Sequence, residues 1–331
     1  MKTLAKVLLV SLGSLVALVV AVVVAFQFTP WPGVIVIRWL FDAGAKQTSD
    51  ALVKHLPPDV VARLDEVYDA GSPQGRLDVF FPAGSEGRKL TTVVWIHGGG
   101  FVSGRKEDIG NYGRVLAGQG FTVVSVDYTI APEAQYPGPV RQVNAALAWL
   151  VRNADRLPID PERIVLAGDS AGAHIAAQLA IATTAPDYAR GLGLAPSLPP
   201  GRLAGVLLLC GVYGTDDMKL EGPFGLFLRT ALRSYFGLDD FRADPRLEQF
   251  ALARHVTKDF PPAFISAGNG DPLLPQSRTL AAALRARGVR VDELFFPADY
   301  SPALPHEYQF NLDTAAGREA LARSVGFLRS L

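Results

Sequence analysis

Cysteine is nearly missing from this chain: Cys210 is the single one in 331 residues. One thiol excludes an intramolecular disulfide and a cysteine-rich zinc site, so the fold must hold without cross-links. Cys210 ends the apolar run Leu207-Leu208-Leu209 and reads as a small buried thiol. An excess of charge of either sign is missing as well, with 32 Lys+Arg against 32 Asp+Glu. Nothing in that balance suggests electrostatic capture of nucleic acid, which needs a clustered basic face. Internal repeats and long low-complexity linkers are also lacking. What the chain does have is apolar bulk, 49% of its residues, enough for a large buried core. α/β enzymes often reach this length around one core.

The N-terminal stretch is the most apolar. After Lys2 and Lys6, residues 7–37 carry no charge, and 7–28 is the most hydrophobic part. That part exceeds the roughly 18 residues that suggest a membrane span and the 7–15 of a secretory signal core. The expectation is an uncleaved transmembrane signal-anchor over 1–28, through which the membrane is a partner. Lys2 and Lys6 should stay cytoplasmic and the rest of the chain outside, although Arg38, Lys46 and Lys54 on the other flank weaken the bias. Trp31 and Trp39, with Pro30 and Pro32 breaking any helix, resemble an interfacial belt. The alternative for 34–41 is an apolar element covering the catalytic core.

From residue 77 the pattern alternates. Short β-branched and aromatic runs at 77–81, 91–96, 121–126, 163–167, 203–209, 263–267 and 291–296 read as strands. Helical patterns at 110–119, 140–156, 171–183, 275–287 and 314–331 separate or follow them. This predicts an α/β fold with a mostly parallel central sheet and helices on both faces. Residues 212–260 break the rhythm, carry Phe224, Phe227, Tyr235 and Phe236, and show no strand pattern. They read as a helical cap insertion joined by 41–64. Residues 29–76 form a juxtamembrane and N-terminal cap segment, and 77–331 the catalytic domain.

Gly168-Asp169-Ser170-Ala171-Gly172 lies between a predicted strand and a predicted helix. G-x-S-x-G alone is also a plain tight turn. In this context it presents a serine nucleophile on a sharp turn that the flanking glycines permit. Upstream stands His97-Gly98-Gly99-Gly100-Phe101, whose glycines let backbone amides approach a developing oxyanion. Gly98 and Gly99, with Ala171 after the nucleophile, are the expected donors. In this order of motifs an acid and then a histidine follow the serine. Of five histidines, His306 alone follows the strand at 263–267. His174, one helical turn after Ser170, reads as a packed helix residue, and His55 and His255 as surface residues. Asp271, just past a strand end, is the expected acid, with Asp299 its rival.

At these motifs the chain resembles the hormone-sensitive-lipase-like family of α/β-hydrolase carboxylesterases, over 77–331. His97-Gly98-Gly99-Gly100, Gly168-Asp169-Ser170-Ala171-Gly172 and Asp271-Pro272-Leu273 carry the resemblance. It implies hydrolysis of carboxylic esters of short to medium acyl chain under a helical cap, without cofactor or metal. The segment Asp127-Tyr128-Thr129-Ile130-Ala131-Pro132-Glu133 departs from it, with Thr129 where the family often has arginine, and so does the N-terminal anchor. An amidase, formamidase or peptidase with the same triad is an alternative, and so is a membrane-anchored binding protein without turnover. A site beside an anchor suggests a lipophilic ester. Activity is expected to fall as His306 is protonated, near or somewhat below neutral pH.

Overall fold

The computed structural model describes residues 2–215, 218 and 220–331; inside the first helix several side chains, 20–27 among them, lie outside the description. In chain order the elements are α1 (Lys2–Phe28), α2 (Trp31–Leu52), β1 (Val60–Val67), β2 (Arg76–Pro82), β3 (Leu90–Ile96), α3 (Lys106–Ala117), β4 (Thr122–Val126), α4 (Gly138–Arg152) and β5 (Ile159–Asp169). There follow α5 (Ser170–Thr184), α6 (Pro186–Gly191), β6 (Leu203–Leu209), α7 (Gly222–Phe236), α8 (Leu247–Phe250), β7 (Ala263–Ala267), α9 (Leu274–Ala286), β8 (Val291–Phe295) and α10 (Ala315–Arg329).

The strands form one sheet in the order β1-β2-β4-β3-β5-β6-β7-β8. β1 and β2 are antiparallel to their neighbours, and the pairings from β4 to β8 are parallel. Strand alternation splits the core into two apolar layers, because successive side chains leave opposite faces. Val94, Ile96, Leu166, Leu208 and Ile265 bury one face against α4, α5 and α9. Val93, Trp95, Val165, Leu207 and Phe264 bury the other against α3 and α10. Central strands covered on both faces read as continuous apolar runs, which is why β6 and β7 fall at the residues their sequence predicts.

Two expectations need correction. Residues 60–67 are not cap material but the edge strand β1, antiparallel to β2 with an irregularity between Arg63 and Glu66. Pro30 does separate α1 from α2, but Pro32 breaks nothing: Pro30 caps α2 and Pro32 lies in its first turn, where the missing amide has no intrahelical partner to lose. α2 buries Val34 and Ile37. Its Arg38 donates to the carbonyls of Val102 (2.8 Å) and Ala131 (3.0 Å) and pairs with Glu133. Residues 34–41 thus cover the catalytic core. The expected membrane anchor at 1–28 falls partly outside the described side chains and gains no support: among the described residues no helix is long and apolar enough to cross a membrane.

Candidate active site

β5 ends at Asp169 and α5 begins at Ser170. Ser170 has a φ of 50°, a left-handed conformation that costs a non-glycine residue on the order of 1–3 kcal/mol. Packing on both sides holds it there. A Cβ at Gly172 would fall on the carbonyl oxygens of Ile96 and His97, so glycine lets the start of α5 press against the end of β3. The turn aims the serine into a cavity of about 600 Å³ that Gly98, Gly99, Gly100, Ala171 and His306 also line.

The loop after β3 is set by a carboxylate that the sequence reading passed over. Asp169, buried beneath the turn, accepts from the indole N–H of Trp95 (2.7 Å) and from the amide of Gly98 (2.9 Å). Burial pushes its acid well above the ordinary range, and the charge of Glu307 acts the same way, while those hydrogen bonds oppose. The Gly98 amide, an expected oxyanion donor, is thereby committed to Asp169. Gly99, at φ 99°, would drive a Cβ into the carbonyl of Ser103. Gly99 and Gly100 turn the chain so that their amides have no protein acceptor among the described residues. His97 is buried, stacked on Tyr128 with ring centres 4.2 Å apart, and bonded through Nδ1 to the Gly98 carbonyl. Burial lowers its pKa, so it supports the loop as a neutral ring.

Asp271 and His306 meet. Asp271 follows β7 and is held from one side by the Leu273 amide, which donates to Oδ1 at 2.8 Å. Its Oδ2 lies 2.9 Å from His306 Nδ1. The rival Asp299 is exposed and Asp292 pairs with Arg290. His306 is raised to about 9: burial works against its charge, but the Asp271 hydrogen bond and the charges of Glu307, Asp271 and Asp169 outweigh it. On its other nitrogen, Nε2, the ring faces Glu307 Oε1 at 3.8 Å. Glu307, a second residue missed from sequence, also has a left-handed backbone, φ 61°, and lines the cavity. The remaining histidines are elsewhere: His174 is buried on Val212 O and Phe250, His55 pairs with Asp313, and His255 reaches Glu248 O.

Cys210 Sγ, Asp271 and His306 also lie within 4.8 Å of one another. Burial pushes the thiol well above its usual range, away from the thiolate that binds metal, and the other two groups are bonded to each other. No metal reading follows. Thr48, Ser103 and Asp108 aside, the rest of the cavity wall is apolar: Ile37, Leu40 and Phe41 of α2 line it together with Phe227, Leu228 and Leu232 of α7, and Phe41 packs on Phe227 with ring centres 5.3 Å apart.

Three comparisons bear on this arrangement. A family model described as alpha/beta hydrolase fold matches residues 93–301. An acetyl esterase of Salmonella choleraesuis is 32% identical over 215 residues, 62% of this chain and 63% of the relative's own length. Among solved structures, an esterase from Pyrobaculum calidifontis superposes with a TM-score of 0.72 at 26% identity, covering 90% of this chain and 93% of that one. Esterase B from Lactobacillus rhamnosis superposes at 0.78 over 89% and 94%, and at 22% identity that likeness speaks to the fold.

Proposed function

Since the chain belongs to the α/β-hydrolase family, we propose that it is a serine carboxylesterase acting through Ser170, His306 and Asp271. The observation that carries the reading is the Asp271–His306 hydrogen bond in the same cavity as a serine held on a strained strand–helix turn. In the proposed mechanism His306 takes the Ser170 proton as its oxygen attacks the ester carbonyl, and Asp271 fixes the tautomer and stabilises the imidazolium. His306 then gives the proton to the leaving alcohol, and water releases the acyl group from Ser170. Ala171, at the start of α5, stays an oxyanion donor. With the Gly98 amide engaged by Asp169, Gly99 and Gly100 are its partners in the loop.

The esterase relatives support an ester over an amide substrate. The apolar wall from α2 and α7 supports a short to medium acyl chain, and a site of this volume suits a small ligand. An extracytoplasmic location belongs to the same proposal, motivated only by the uncharged apolar sequence of residues 7–28; protease added outside intact cells would digest the domain there and leave a cytoplasmic one whole. The mechanism is tested by a fluorophosphonate probe and peptide mapping. An adduct on the peptide carrying Ser170 is expected, suppressed in His306→Ala; labelling elsewhere, or none, contradicts the reading.

A further inference from the structure

Glu307 is a carboxylate without an obvious duty. Its backbone is held left-handed, which a non-glycine residue rarely adopts. It follows the proposed base in the chain, and its Oε1 lies on the Nε2 side of that ring, opposite Asp271. The side chain keeps 39% of its surface exposed and lines the cavity. Among the described residues no lysine or arginine pairs with it, and none lines the cavity. The other acids nearby are accounted for. Asp108 accepts from the Arg105 amide and faces its guanidinium, Asp169 is sealed under Trp95 and Gly98, and Asp271 holds Nδ1. His97, the remaining titratable group of the lining, is buried and neutral.

Nε2 is the nitrogen that must return the proton to the leaving alcohol, so a group beside it lies beside that alcohol. We propose that Glu307 is a specificity-determining residue that selects esters whose alcohol carries a positive charge. This rests on the serine-esterase reading. Two consequences follow from Coulomb's law in a partly enclosed site. A cationic alcohol gains attraction to Glu307 that a neutral one of the same shape lacks. Its charge also repels the proton on His306, so binding favours the neutral ring that can act as base. Anionic alcohols lose on both counts.

The test uses the full chain with acetylcholine and 3,3-dimethylbutyl acetate, a cationic ester and its neutral isostere. The wild type should prefer the cationic ester in kcat/KM by about three- to tenfold, the range left after solvent in the cavity screens the charge. The preference should shrink at high salt. The acid limb of kcat should lie lower for the cationic ester than for the neutral one. Glu307→Gln, which keeps the shape, should bring the ratio to about one and merge the two limbs. Glu307→Gly, which suits the left-handed backbone, should do the same; a residue that only supported the fold would change both substrates alike. A ratio of one in the wild type, or a preference surviving in both variants, overturns the inference. If the neutral ester is still turned over in a Ser170-dependent way, the esterase reading stands without it; if neither ester is turned over, both fall.

Discussion

The protonation of one ring governs when this site can work. A base must be neutral to accept the serine proton, and three carboxylates around His306 favour its charged form, raising it to about 9. The sign is therefore definite: kcat/KM for a neutral ester should rise with pH through neutrality toward about 9, above the range an ordinary histidine predicts. A pH–rate profile from 5 to 10 checks this, and a plateau reached below pH 6.5 would contradict it. Stability runs the other way, because a group raised on folding contributes fully below its unfolded value and loses that contribution as pH climbs through about 9. Ser170, Asp271 and His306 were legible as types at motif positions. Glu307 was not, because nothing in His306-Glu307-Tyr308 says that the backbone turns left-handed and swings the acid toward Nε2. The role of Asp169 was hidden for a similar reason: its partners, Trp95 and Gly98, are more than 70 residues away in sequence.

At the scale of elements, the buried strands announced themselves, as did the edge strand β8, and the edge strand β1 did not. β6 and β7 are unbroken apolar runs, whereas β1 reads Val60-Val61-Ala62-Arg63-Leu64-Asp65-Glu66-Val67, with charges where a central strand would have none. A strand covered on one side and irregular in register needs no clean alternation. What ties this edge to the body is Lys106 at the start of α3, itself 3% exposed, with Nζ 3.0 Å from buried Asp78 and 3.1 Å from Asp65. Lys106→Met would leave Asp78 buried without its cation. The expected loss is about 3–5 kcal/mol in a urea-unfolding series. A loss under about 1 kcal/mol would mean that water or Arg76 replaces the ammonium. The start of α2 was hidden because Pro30, which ends α1, caps the next helix and Pro32 is compatible with its first turn.

Across the whole molecule, the boundary that matters lies between α1 and α2. The described apolar side chains of α1, such as Leu4, Leu9, Val10 and Leu12, are exposed, whereas α2 buries Val34 and Ile37 and is bolted down by Arg38. Deleting residues 1–28 should shift the thermal midpoint by no more than about 1–2 °C, the equivalent of 1 kcal/mol at this size. Deletion through residue 52 should remove one wall of the cavity and weaken longer acyl esters most. Calorimetry with ester kinetics on the two truncations checks both. A large loss of stability from the shorter deletion would mean that α1 packs on the domain.

The central claim is that Ser170 is the nucleophile of an ester hydrolase, and its most direct test is turnover. Initial rates on p-nitrophenyl esters of increasing acyl length should show a short to medium optimum. Ser170→Ala, folded to the same thermal midpoint, should lose on the order of a million-fold in kcat, as expected when a triad nucleophile is removed. Comparable rates in the wild type and the variant would contradict the account.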